Sequence, residues 1–378
     1  MNNVKLSIIV PTKDRYKYLL PLIKMLDSFN LKDTELVIED NSSNNEDIIR
    51  FINDNEFNIP IVYNQTPYQL PICQNIDNAI NHSHGEYVCV IGDDDAVTPL
   101  IRDYIDWMIA NNVDSVRQLT ELTYKWPGFT DDRGKIIGAY LTFGKIGNEN
   151  CEVDTNLAVR EVVKSGIMTL GRMPCVYQGI IKRSTLDRLY QIGNTYFPGP
   201  SPDMGNATAL CFIVNKHVAT SVPIIISGGS EFQGGKSQKI KKWVQPLSNI
   251  PFISENAKAK WDKRIPFFWC GHTVWPESGI KGLEYVGKKE YLKDLDFDSL
   301  LAKCLYRGFE FRTDILSRSN NRSKVILLYI KFYIREQLAK VKRYIMRRFN
   351  IAAKGITRVD GLMNIEDAIN ILLDKYHN

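Results

Sequence analysis

Three carboxylates stand in a row at Asp93-Asp94-Asp95, directly after the apolar run Tyr87-Val88-Cys89-Val90-Ile91 and Gly92. Adjacent like charges repel, so a fold that keeps them together gains from a cation between them. Mg²⁺ and Mn²⁺ are hard ions that take oxygen ligands, often one or two carboxylates completed by substrate phosphates. Such an ion neutralises charge on a departing diphosphate. The bland reading is a solvated acidic turn. An EF-hand calcium loop is excluded, because its alternating ligands and closing glutamate are absent.

Two further polar clusters occupy equivalent places. The apolar run 6–10 leads into Pro11-Thr12-Lys13-Asp14-Arg15, and the run 35–38 leads into Glu39-Asp40-Asn41-Ser42-Ser43. Runs rich in Val and Ile at 6–10, 35–38, 60–63 and 87–91 predict buried parallel strands. Helical stretches are expected between them at 18–29, 46–53 and 72–81, with Asn44 or Asn45 placed to cap the second. Strand–helix alternation predicts an α/β fold: a mostly parallel, Rossmann-like sheet with helices on both faces. Such sheets bind ligands at the carboxyl ends of their strands, where all three clusters would converge.

Further along, a helix is expected at 98–111, a strand at 115–119, hairpins through 120–150, a helix near 158–165 and a strand near 176–181. A Gly/Ser-rich stretch covers 227–238, and more basic, helical sequence takes over near residue 250. The expected organisation is a catalytic domain over 1–250, with a nucleotide-binding half at 1–100 and an acceptor half at 101–250. A mainly helical, basic region follows at 251–378.

These segments resemble a known family. Ser-Ile-Ile-Val-Pro-Thr-Lys-Asp-Arg from Ser7, Leu-Val-Ile-Glu-Asp-Asn-Ser-Ser from Leu36, and Gly-Glu-Tyr-Val-Cys-Val-Ile-Gly-Asp-Asp-Asp from Gly85 resemble the family 2 glycosyltransferases of GT-A fold. Their order and spacing match as well. The likeness is specific over about residues 5–100 and extends more loosely to about 226. It implies a nucleotide-sugar donor, with UDP the expected nucleotide, and Mn²⁺ or Mg²⁺ as cofactor. Roles in base and ribose binding carry over to Pro11, Thr12, Arg15, Glu39 and Asp40. In the D-x-D pattern, Asp93 would face the ribose and Asp95 the metal, with Asp94 between. The chain departs from the family in two places. Glu39-Asp40-Asn41-Ser42 replaces the usual Asp-Asp-Gly-Ser, and Gln74-Asn75 replaces Arg-Asn, leaving Asn75 as the donor contact of that helix.

The resemblance also points to Asp203. The family's general base precedes a helix roughly a hundred residues after the D-x-D, and Asp203 opens a helical run after Pro198-Gly199-Pro200-Ser201-Pro202. A carboxylate there would take the proton of an acceptor hydroxyl. A helix cap is the alternative role, and the two are compatible. His272, within Phe267-Phe268-Trp269-Cys270-Gly271-His272-Thr273-Val274-Trp275, is either packed among aromatics or a third metal ligand. Trp269 and Trp275 could stack on a sugar or fill the core. Gly234-Gly235-Lys236-Ser237 resembles the end of a P-loop, but Ser230 stands where the first glycine is required, so a lid or a plain loop is the better reading.

Composition limits the remainder. The 378 residues are 44% hydrophobic and 24% charged with a net charge of +5, as in a globular protein. The seven cysteines form no C-x-x-C pair, which favours a reducing compartment over a disulfide framework. A strand opens the chain, so no signal peptide is expected. No apolar run reaches the roughly 18–20 residues of a spanning helix. Residues 322–348 carry nine basic side chains and one acidic one, Glu336, interleaved with apolar residues from Ile326 to Phe349 at helical spacing. A basic amphipathic helix over 322–349 suits an anionic membrane surface, and a helix with a solvated basic face is the alternative. Nothing beside it suggests nucleic-acid readout.

The resulting expectation is a metal-dependent, inverting transferase. It would be cytoplasmic and peripheral on the inner face of the membrane, and would serve a saccharide or lipid-linked acceptor in bacterial surface polysaccharide synthesis. A nucleotidyltransferase would need a Gly-rich loop after the first strand, and Pro11–Arg15 contains no glycine. A carbohydrate-binding protein with a decayed transferase domain is the non-enzymatic alternative.

Overall fold

The computed structural model describes residues 4–66, 70–130, 135–231, 244–348 and 355–378. The first hundred residues form β1 (Leu6–Thr12), α1 (Tyr16–Ser28), β2 (Thr34–Asp40), α2 (Glu46–Asn53), β3 (Ile61–Gln65), α3 (Ile72–Asn81), β4 (Tyr87–Val90) and β5 (Ala96–Val97). Next come α4 (Leu100–Ala110), β6 (Ser115–Gln118), β7 (Thr123–Lys125), β8 (Tyr140–Phe143), β9 (Asn150–Glu152), α5 (Thr155–Lys164), β10 (Ile180–Lys182), α6 (Arg183–Gly193), α7 (Met204–Leu210), β11 (His217–Thr220) and β12 (Ile225–Gly229). The remainder is mainly helical: β13 (Gln245–Pro246), α8 (Glu255–Ala259), β14 (Phe268–Trp269), α9 (Gly271–Tyr285), α10 (Phe297–Arg307), α11 (Arg312–Ser317), α12 (Arg322–Arg348), β15 (Thr357–Asp360) and α13 (Ile365–His377).

The main sheet has eight strands in the order β3-β2-β1-β4-β10-β6-β11-β9. β3, β2, β1 and β4 run parallel, and the antiparallel β10 joins them to β6 and β11, themselves a parallel pair. Alternation along β1 explains the layers. Leu6, Ile8 and Val10 pack with α1, α4 and, from the far end of the chain, Ile365, Ile369 and Leu372 of α13. Ile9 faces the other way, with Ile76 and Ile80 of α3 and Leu186 and Leu189 of α6. Burial on both faces accounts for the continuous Val/Ile runs.

Register places the polar clusters side by side. Thr12 at the end of β1 lies opposite Asp40 at the end of β2, and Ile9 lies opposite Val90 of β4, three residues before Asp93. A second sheet, ordered β15-β8-β7-β12-β5, lies beyond the acidic run, and β12 pairs antiparallel with β5 directly after it.

Local chemistry moved some boundaries. The helix expected near 158–165 starts at Thr155, because Asp154 accepts hydrogen bonds from the N–H groups of Asn156 and Leu157. The strand expected near 176–181 shrinks to β10, because Gln178 takes a left-handed conformation with φ of 55°. Asn45 stands at the N-cap of α2 but its side chain makes no capping bond, while Asn44 Oδ1 accepts from the N–H of Glu46.

α7 and α9 pack closely, and one core joins Met204 and Ala207 to Ile280, Leu283, Leu300 and Leu305. The start of α12 joins this core through Val325, but Leu327, Ile330, Ile334, Leu338, Val341 and Ile345 remain exposed along it. Phe349 and Lys236 lie outside the described residues. Among the described residues, no helix is long and apolar enough to cross a membrane.

Candidate active site

The acidic run sits where β4 gives way to β5, and all three carboxylates are buried. Buried charge needs partners, and each aspartate has a different set. Asp93 Oδ2 accepts from Thr12 Oγ1 at 2.8 Å, and its Oδ1 lies 2.9 Å from Nε of Arg15. Asp94 Oδ2 meets Arg15 Nη2 at 2.8 Å and accepts from Ser230 Oγ at 2.6 Å. Asp95 turns away from Arg15. Its Oδ1 accepts from the N–H of Gly228 at 2.6 Å, and its Oδ2 from the N–H of Gly92 at 2.7 Å and from Gln178 Nε2 at 2.9 Å.

Asp94 Oδ1 accepts no hydrogen bond among the described residues. Both oxygens of Asp95 are engaged by protein donors, one on Oδ1 and two on Oδ2. Burial pushes the carboxyls of Asp93 and Asp95 up. Arg15 draws Asp93 back and Asp94 raises it further.

Tyr177 closes the same corner. A Cβ on Gly92 would lie 3.0 Å from the Tyr177 hydroxyl and 3.2 Å from Asp94 Oδ1, so a glycine at 92 lets the phenol approach the run. Burial, then the negative field of Asp95, Asp94 and Asp93, holds that phenol protonated. Gly228 has a similar role: a Cβ there would sit 1.7 Å from the carbonyl oxygen of Asp94.

The second cluster forms the adjoining wall. Asp40 accepts from the Tyr16 hydroxyl at 2.5 Å, the Tyr63 hydroxyl at 2.8 Å and the Ser42 N–H at 2.9 Å. Pro11 lies opposite Glu39 in the sheet. Glu39 Oε2 is 2.9 Å from Nδ1 of His82, and burial raises its carboxyl. Asn75 Nδ2 donates to the Glu39 carbonyl at 3.3 Å, and its Oδ1 accepts from Thr66. Asn75 therefore touches the backbone that presents Glu39.

Asp203 caps α7: its Oδ1 accepts from the Met204 N–H at 2.8 Å and from Ser201 Oγ. Burial raises its carboxyl, while the hydrogen bond from the Met204 N–H and the neighbouring Trp275 draw it down. The segment 175–178 ties Asp203 to the acidic run. Cys175 Sγ lies 3.7 Å from the Asp203 carbonyl, and Gln178 reaches Asp95. Those four residues span about 10 Å if extended.

His272 is not brought into this cluster. Burial, then the positive charges of Arg307 and Lys303, lowers its ring to about 4. Its carbonyl accepts from Cys304 at 3.3 Å. Among the described residues, no three His, Cys, Asp or Glu side chains form a closed metal cage.

Residues 7–132 match the family described as glycosyl transferase family 2. Those residues form a family 2 glycosyltransferase domain. This domain contains Thr12, Arg15, Asp40 and the acidic run, whereas Asp203 and His272 lie beyond it. The abequosyltransferase RfbV of Salmonella typhimurium is 30% identical over 110 residues, covering 27% of this chain. The match spans about a third of that relative, 32% of its length. Among solved structures, S. aureus TarS 1-349 in complex with UDP-GlcNAc is 17% identical with a TM-score of 0.46, covering 86% of this chain and 79% of TarS. The mannosyltransferase PcManGT of Pyrobaculum calidifontis, in complex with GDP-Man and Mn²⁺, is 14% identical with a TM-score of 0.39, covering 87% of each chain.

Within the family 2 domain, Thr12 and Arg15 both contact Asp93, and Arg15 also contacts Asp94. The sequence reading missed Tyr177, Gln178, Gly228 and Ser230. For the last two a signal existed in the Gly-Gly-Ser ending of β12. For Tyr177 and Gln178 there was none, since neither sits in a polar cluster.

Proposed function

We propose that the protein is a glycosyltransferase that moves a sugar from a nucleotide sugar to an acceptor hydroxyl. One observation carries this reading: Arg15, Asp93 and Asp94 meet at the carboxyl ends of β1 and β4, inside the family 2 domain. That is where an open α/β sheet binds nucleotides.

The division of labour follows from the partner sets. Asp40, Tyr16 and Tyr63 supply acceptors and donors for the base and ribose, and Asp93 lies between them and Asp94. Asp94, with Oδ1 open, fits a Mn²⁺ or Mg²⁺ shared with the donor diphosphate, so the metal contact is assigned to Asp94 in place of Asp95. Asp95 serves to hold the run against β12. When bound, the ion supplies positive charge to the leaving diphosphate. Arg15, with its planar fork of donors, suits phosphate oxygens as well as carboxylates.

Asp203 is assigned as the base. Its raised carboxyl is a better proton acceptor than an ordinary aspartate, and Ser201 and the Met204 N–H fix its orientation. One carboxylate acting on the acceptor corresponds to direct, inverting displacement. The half-buried Trp275 beside it offers a face for the acceptor sugar. UDP is the proposed nucleotide, and a saccharide or lipid-linked acceptor of a bacterial surface polysaccharide the proposed partner. The exposed stripe of α12 with its basic flanks is assigned to an anionic membrane surface.

Release of the nucleoside diphosphate from a panel of nucleotide sugars, with Mn²⁺ and with chelator, tests the reading. Turnover of one donor, lost in Asp94→Ala, is expected. No release from any donor by the full chain would refute it.

A further inference from the structure

We propose that Arg15 is a resident counter-ion that occupies the cation position of the acidic run and yields it only when a diphosphate arrives. The proposal rests on the assignment of a divalent metal to Asp94.

The guanidinium lies across two carboxylates at once, 2.9 Å from Asp93 Oδ1 and 2.8 Å from Asp94 Oδ2. It also donates to Ser230 Oγ at 2.8 Å and sits 5.4 Å from the ring centre of Tyr18. The Arg15 side chain is 18% exposed, and those of Asp93 and Asp94 are 5% and 8% exposed. At such burial a charge without a partner is costly, so the pairing is strong in the absence of ligand. It also offsets the negative charge that would otherwise attract a free divalent ion. A metal entering alone would share the site with a fixed positive charge and gain little.

A nucleoside diphosphate changes the balance. It brings two phosphates, which a planar guanidinium can engage through paired N–H···O bonds. Arg15 then has a second anion to pair with, and Asp94 is free to share a metal with the same diphosphate. Metal and nucleotide should therefore bind with positive coupling, and the coupling should depend on Arg15. By linkage it must be reciprocal: Mn²⁺ strengthens UDP binding by the factor by which UDP strengthens Mn²⁺ binding. Arg15 is also the N-cap residue of α1, on the short loop that leaves β1. Its swing needs only side-chain torsions.

The test is a Mn²⁺ titration of the full chain, read from the electron paramagnetic resonance signal of the free ion, with and without UDP. The wild type is expected to bind Mn²⁺ weakly alone and about tenfold or more tightly with UDP. Arg15→Gln should bind Mn²⁺ alone about tenfold more tightly than the wild type and gain much less from UDP. Arg15→Lys keeps the charge but cannot bridge both carboxylates, so it should fall between the two. Circular dichroism checks that each variant is folded. A folded Arg15→Gln or Arg15→Lys that binds free Mn²⁺ no better than the wild type overturns the proposal while leaving the metal at Asp94. If no form binds Mn²⁺ even with UDP bound, the metal assignment falls, and the proposal with it.

Discussion

The backbone N–H of Gly228 donates a 2.6 Å hydrogen bond to Oδ1 of Asp95, fastening the acidic run to a strand far away in the sequence. With Gly92 and Gln178 on its other oxygen, Asp95 is a clasp between two sheets. An asparagine there would turn an amide N–H₂ against at least one N–H donor. Asp95→Asn should lower stability by about 1–3 kcal/mol, the cost of a buried group left unsatisfied. Asp94→Asn keeps an acceptor for Ser230 and should lose less stability and more transferase activity. Thermal melting beside a transfer assay on the two variants separates these roles.

Asp203→Asn preserves an oxygen acceptor for the Met204 N–H and so should retain the cap of α7. It removes the only function the mechanism asks of that side chain, proton removal from the acceptor. Transfer should fall by about 10²–10⁴-fold with the affinity for donor unchanged. Equal loss of donor affinity would place Asp203 in donor binding instead.

Glu277 of α9 is buried, with Oε2 accepting from the Asp262 N–H at 3.0 Å and Oε1 left without a hydrogen bond, 3.6 Å from Lys281 Nζ. Burial pushes its carboxyl up to about 7 against the pull of Lys281. The folded state thus holds a proton that the unfolded state has released. Stability contributed by this group should be full below about pH 4.5 and decline as pH rises towards 7. Glu277→Gln keeps the shape without the charge. Unfolding in denaturant at several pH values should show the variant gaining on the wild type by on the order of 1–3 kcal/mol between pH 5 and pH 8.

Much of the fold of the first hundred residues could be read from residue types. β1, β2 and β4 are Val/Ile runs because both faces are covered, and each ends in polar residues that are buried side by side. α2 and α3 follow their apolar periodicity. What could not be read depends on distant contacts. The tethering of Asp95 needs Gly228 and Gln178, and the field around Tyr177 arises only when the segment 175–178 is laid beside β4. The break at Gln178 is a left-handed residue where nothing local demands one. In α12 the apolar stripe was legible from spacing, but its exposure depends on how far α10 and α11 extend beside it.

That stripe gives a further expectation. Leu327, Ile334 and Leu338 are exposed apolar residues on a helix flanked by lysine and arginine. The full chain should sediment with vesicles containing phosphatidylserine and not with neutral ones, less so at high salt, because surface charge is screened. Replacing the three residues with serine should abolish sedimentation without changing the melting temperature. Sedimentation unaffected by those replacements would assign the stripe to another partner.

The central proposal is that Arg15, Asp93 and Asp94 form a nucleotide-sugar donor site within residues 7–132. Its most direct test is calorimetric titration of the full chain with UDP in the presence of Mn²⁺, repeated for Asp94→Asn. Saturable binding to the wild type, weakened at least tenfold in Asp94→Asn (about 1.4 kcal/mol), is the predicted result. Binding of equal strength in the two proteins, or none in either with UDP or GDP, would contradict the account.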